Sequence, residues 1–179
     1  MKELDSPHLH LREMSADTLA EVLPVYLSNP AYRELVEGSE GVAGRYDLER
    51  WQRDWSIAQL MPGRHSLACY LKANNEAIGY IDYLDENESD GLPWLGMLMI
   101  HADYQGHGLG TEALQCLIAH CREERGWSRL RASVLELNTA ALAFFKRAGF
   151  KPVQQKSAQF SAGQQTFYIM ELALKEGIL

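Results

Sequence analysis

The sequence predicts an α/β protein of the α+β type: a mixed, mostly antiparallel sheet of about six or seven strands flanked by about four helices. Three observations carry this. Short runs alternating every second residue are interleaved with longer runs whose apolar residues recur every three or four positions. Ser66–Lys72 and Ala77–Leu84 are strand-like and separated only by Ala73-Asn74-Asn75-Glu76, the spacing of an antiparallel hairpin. The apolar run Trp94–Ile100 leads through a cluster of glycines into helical periodicity.

In chain order, Leu9–Met14 alternates like a first strand, and Ser15 with Asp17 can cap a helix running to about Leu27. Between Asn29 and Tyr46 the pattern dissolves around Pro30, Gly38, Gly41 and Gly44, so a loop is expected there. Leu48, Trp51, Trp55 and Ile57 or Ala58 restore helical spacing. The hairpin supplies the second and third strands, Asp85–Pro93 an acidic loop, and Trp94–Ile100 a central fourth strand. Ala113, Leu114, Leu117, Ile118 and Cys121 then mark a long helix ending near Gly126. Leu130–Leu137 is a fifth strand. Asn138 caps a helix with apolar face Ala141, Leu142, Phe145 and Ala148, closed by Lys146, Arg147 and Gly149. Strands near Val153 and near Phe167–Leu174 complete the chain.

The 179 residues fit a single domain over 1–179, and 46% hydrophobic content supplies a core without disulfides or metals. A net charge of −7 argues against nucleic acid as a partner, since phosphate neutralisation needs clustered Lys and Arg. Cys69, Cys116 and Cys121 are odd in number and match no zinc spacing, which favours buried free thiols in a reducing cytoplasm and no metal site. No leader-like or membrane-spanning run is present in the sequence. An edge strand at the C-terminus would support a homodimer.

The run Gln105-Gly106-His107-Gly108-Leu109-Gly110 joins a buried strand to a helix start. Such a junction binds anions, because the first helical amides lack partners and the helix dipole is positive there. Glycines let a pyrophosphate approach those amides, and the Thr111 hydroxyl adds a donor. A Walker loop is excluded because no Lys-Ser or Lys-Thr pair follows. A dinucleotide loop is disfavoured because Thr111 stands where the third small residue belongs.

With its flanks, Leu95–Gly110 resembles the acetyl-CoA signature of the GNAT N-acetyltransferase superfamily, with Gln105, Gly108 and Gly110 at its defining positions. Asn138-x-x-Ala141-x-x-Phe144-Phe145-x-x-x-Gly149-Phe150 is similar to the superfamily's second cofactor motif. The resemblance implies a sheet splayed between the fourth and fifth strands. It implies a pantetheine arm paired with Leu98, Met99 and Ile100, a pyrophosphate on Gln105, Gly106, His107, Gly108, Leu109, Gly110 and Thr111, and Asn138, Phe144 and Phe145 beside the thiol end. It further implies direct transfer from acetyl-CoA, as co-substrate and without a metal, to a primary amine of a small molecule or peptide. A backbone amide among Met97, Leu98 and Met99 would stabilise the oxyanion.

The usual proton-handling positions of that family are empty: Leu95, Gly96 and Met97 bring no carboxylate, Ser133 replaces an acid, and Phe145 replaces a tyrosine. Depending on strand parity, Asp82, Tyr83, Glu136 and Tyr168 reach the cleft, alone or through water, or are ordinary solvated or packed side chains; His101 and His107 flank the signature as candidates or as exposed or structural residues. Trp51 and Trp55 can wall the acceptor pocket or pack in the core, and Asp85, Glu86, Glu88 and Asp90 can attract a cation or form a solvated loop. The alternative function is a non-catalytic module that binds or senses acyl-CoA.

Overall fold

The computed structural model describes residues 3–44 and 46–175. Its strands are β1 (Leu4–Asp5), β2 (Leu9–Glu13), β3 (Arg64–Leu71), β4 (Ala77–Leu84), β5 (Trp94–Ile100), β6 (Arg129–Leu135), β7 (Lys151–Phe160) and β8 (Gly163–Ala173). The helices are α1 (Leu19–Leu27), α2 (Pro30–Ala43), α3 (Leu48–Ala58), α4 (Leu109–Glu123) and α5 (Thr139–Arg147). They surround one sheet of order β1-β2-β3-β4-β5-β6-β8-β7. Only β5 and β6 are parallel, so the fold is the mixed, mostly antiparallel sheet that the sequence predicts.

Strand alternation divides the apolar residues between two cores. Leu67, Ile81 and Leu95 point to one face and pack beneath Leu114 and Leu117 of α4 and Phe145 of α5. Ala68, Tyr70, Tyr80 and Met99 point to the other and meet Val22, Val25 and Tyr26 of α1 and Trp51 of α3. Trp51 lies 5.6 Å from the Tyr26 ring and 5.5 Å from that of Tyr80, so its role is packing. Asp47 caps α3 by accepting from the Arg50 N–H at 3.1 Å, as Asn138 caps α5 by accepting from that of Ala141 at 3.1 Å.

Four expectations need correction. Most of Asn29–Tyr46 is helical, as α2: Pro30 occupies the first helical position, where its missing N–H costs nothing. Gly38 then breaks the helical path at φ 76°, ψ 170°, which hid the helical period in the sequence. A Cβ at Gly38 would lie 3.3 Å from the Ala162 Cα, so this glycine also lets the β7–β8 turn approach α2. The sheet has eight strands because the two-residue β1 pairs Leu4 with Leu11, making the expected fourth and fifth strands β5 and β6. The C-terminal strand, β8, is interior, and β7 takes the edge. Cys116 is only half-buried, whereas Cys69 and Cys121 are buried.

Leu117 is fully buried at the centre of the α4 core. Leu117→Ala should lower the unfolding free energy by about 2–5 kcal/mol, read from urea denaturation.

Candidate active site

β5 and β6 pair at only two positions, Trp94 with Arg131 and Leu95 with Ala132. Immediately beyond, β5 carries one extra residue, Gly96, between the pairs Tyr83–Leu95 and Asp82–Met97. Such a bulge bends and twists its strand, and from Gly96 onward β5 has no pairing with β6. The parted strands open a cleft of about 850 Å³.

The open edge of β5 has a definite polarity. The His101 N–H donates to the Ile78 carbonyl at 2.8 Å. With Ile100 opposite Gly79, antiparallel alternation then turns the backbone of Met97 and Met99 toward β4 and that of Leu98 and Ile100 toward the cleft. The Ile100 carbonyl already accepts from Asn29 Nδ2 at 3.1 Å and Gln105 Nε2 at 2.9 Å. Of the groups expected to pair with a pantetheine arm or an oxyanion, Leu98 therefore offers both N–H and C=O. Met97 and Met99 contribute side chains to the cleft lining.

Where β5 ends, the Gln105 side chain is used structurally: its Nε2 also donates to Asn29 Oδ1 at 2.8 Å, tying the glycine run to the end of α1. Gly106 and Gly108 have φ of 79° and 83°, conformations that favour glycine, and a Cβ at either would meet nothing within 4 Å. Space for a ligand is thus kept next to backbone. The first helical bond of α4 runs from the Glu112 N–H to the Gly108 carbonyl, so the amides of Leu109, Gly110 and Thr111 have no helical partner. Gly106, Gly108, Gly110 and Thr111 line the cleft; His107 is exposed, and the Leu109 side chain packs against the α4 core.

The opposite wall is α5, where Asn138, Phe144 and Phe145 line the cleft. Phe145 is braced edge-to-face between Phe144 at 5.3 Å and Phe150 at 5.1 Å. Arg147 also lines this wall, a position whose spacing suggested only a helix-closing charge.

The candidate proton-handling residues lie away from the cleft lining. The Asp82 carboxylate is buried against Arg64 Nε at 3.0 Å and Ser66 Oγ at 2.8 Å, both donating to Oδ2. Arg64 Nη2 stands 2.9 Å from Oδ1 as an ion pair, without hydrogen-bond alignment. Burial lifts this carboxyl above its ordinary pKa against the opposing pull of Arg64 and Ser66. Tyr83 is fully buried, stacked on His65 at 4.8 Å. Tyr168 donates to Glu136 at 2.9 Å, a pair outside the cleft lining. The acidic loop precedes the paired start of β5: Asp85 contacts His65 and Arg125, and Asp90 accepts from Arg131 and Trp94.

Among the described residues lining the cleft, the titratable side chains are Tyr32 and Arg147. Tyr32 was illegible because it sits on α2. Its period with Leu35 and Val36 is helical, but the neighbouring glycines masked it. Burial first, and Glu37 second, push its hydroxyl up to about 12. Ser133, exposed on β6, also lines the cleft, as do Thr111 and Thr139. No group of three or more potential metal ligands occurs among the described residues.

Residues 29–150 match the acetyltransferase (GNAT) family. A spermine/spermidine N(1)-acetyltransferase of Bacillus subtilis (strain 168) is 36% identical over 73 residues, which cover 41% of this chain and 48% of that protein. The matched stretch thus spans about half of that relative. An acetyltransferase structure from Thermus thermophilus is 28% identical with a TM-score of 0.68, covering 92% of this chain and 97% of that one. A ribosomal-protein alpha-N-acetyltransferase structure in complex with coenzyme A has a TM-score of 0.78 at 14% identity, with coverages of 96% and 98%.

Gly108→Val should weaken coenzyme A binding by about tenfold or more in calorimetry, because its side chain enters the open space beside the α4 amides. Gly126→Val, at a similar φ of 67° beyond the far end of α4, is the control for backbone strain and should leave the affinity unchanged.

Proposed function

Because this chain belongs to the GNAT acetyltransferase family, we propose that it is an acetyl-CoA-dependent N-acetyltransferase, passing the acetyl group directly to a primary amine of a small molecule or a protein N-terminus within a ternary complex. The observation that carries this reading is the continuity of two binding surfaces. The open backbone edge at Leu98 runs, through the Ile100–Gln105–Asn29 hydrogen bonds, into the unpaired amides of α4.

The residues present fit the co-substrate. An extended arm bearing amides pairs with a strand edge as an added strand would, and Leu98 supplies a donor and an acceptor for it. The α4 amides and Arg147 supply positive ends for phosphates. Acetyl-CoA brings the acetyl group already activated as a thioester. The chain then orients the two reactants, offers a backbone N–H to the developing oxyanion and excludes water with Phe144 and Phe145. The Tyr32 hydroxyl stays protonated through the neutral range and serves as a hydrogen-bond donor. The free thiols fit a reducing cytoplasm.

One observation favours the second reading, a module that binds acyl-CoA without turning it over: the described cleft lining contains no carboxylate or imidazole. Thiol release from acetyl-CoA, dependent on an added amine, decides for the enzyme. Calorimetric binding with no release decides for the module.

The same lining sets the pH dependence. An alkylamine near pKa 10.4 must lose a proton before attack, and no cleft group titrates with an ordinary value between pH 6 and 9. With an alkylamine acceptor the kcat/KM should therefore rise about tenfold per pH unit across that range, following the neutral amine, whereas a peptide α-amine with a pKa of about 7.7–8.0 levels off near pH 8. A plateau below pH 8 with the alkylamine would show a protein base.

A further inference from the structure

We propose that the acceptor is a primary amine whose remaining part is apolar and carries no second positive charge. This rests on the acetyl-transfer reading and narrows its acceptor. With the glycine loop and α5 assigned to the co-substrate, the acceptor is left the side of the cleft lined by Tyr32, Leu35 and Val36 of α2, Met97 of β5 and Phe160 of β7. These walls are held together. Gln165 Nε2 donates to the Leu35 carbonyl at 3.4 Å, and Gly38 admits the β7–β8 turn against α2.

Within this compartment the polar side-chain groups are neutral. The Tyr32 and Ser133 hydroxyls have no hydrogen-bond partner among the described residues, so both are available to orient an uncharged amine. The neighbouring acids are already engaged. Glu37, one residue beyond Val36, accepts from Tyr26, Arg33 and Arg50. Asp82 is held by Arg64 and Ser66, and Glu136, which accepts from Tyr168 and Gln155, lies outside the cleft lining. A polyamine's distal charge would thus be desolvated without a partner, whereas an aryl or alkyl substituent gains contact with Leu35, Val36 and Phe160.

The test measures acceptor-dependent thiol release by the full chain, with acetyl-CoA and 2-phenylethylamine, a tetrapeptide beginning with leucine, or spermidine. At least one apolar acceptor should show a kcat/KM about tenfold or more above that of spermidine, its identity separating small molecule from peptide N-terminus. Val36→Glu should shrink that ratio about tenfold, while Val36→Gln, of the same shape but neutral, should not. A preference for spermidine in the unaltered protein overturns the inference and leaves acetyl transfer standing, as does an equal effect of the two Val36 variants. Release with none of the amines, while coenzyme A still binds, overturns acetyl transfer and this inference with it.

Discussion

The parting of β5 from β6 at Gly96 is the constraint on which the site depends. A continuous parallel pair would leave no open backbone on β5, and the amides of α4 would stand beside a closed sheet. One inserted residue between two ladder positions bends β5 away after its second pair with β6. The consequence reaches beyond the strand, because the exposed edge must still satisfy its hydrogen bonds. The protein caps the last carbonyl, that of Ile100, with Asn29 and Gln105, and leaves the N–H and C=O of Leu98 facing the cleft.

That capping fixes the glycine run as well. Gln105 opens the glycine run and bonds both to the end of β5 and to Asn29 just beyond α1. The loop start is therefore tied to two elements, while Gly106 and Gly108 keep the space in front of the helix amides clear. Strand edge and helix terminus become one surface, with open backbone groups at one end and unpaired helix amides at the other.

The strands and the glycine loop were legible in the sequence because each has a local signal: alternation, a hairpin spacing, or a glycine run between opposed periodicities. The N-cap at Asn138 was equally local. The α2 wall of the cleft was hidden for a physical reason. α2 starts at a proline and is broken at Gly38, so the helical period of Tyr32, Leu35 and Val36 is short and flanked by residues that read as a loop. The position of Asp82, Tyr83, Glu136 and Tyr168 relative to the cleft depends on register and on which face each strand turns inward. Both follow from pairing between segments distant in the chain, which composition does not encode.

Gly96 also connects the fold to the charge of the site. In the sequence it reads as a missing carboxylate, but a Cβ there would lie 3.1 Å from Asp82 Oδ1. A side chain at the bulge would crowd the Asp82–Arg64–Ser66 cluster behind it, and glycine leaves that cluster undisturbed. The Asp82 charge is compensated by Arg64, so it projects little field into the cleft. The local potential is then set by the α4 amides and Arg147, both positive. An anionic co-substrate is drawn in by that field and compensates it, and with the Asp82 charge held behind the bulge by Arg64 the remaining side of the cleft is left apolar and neutral.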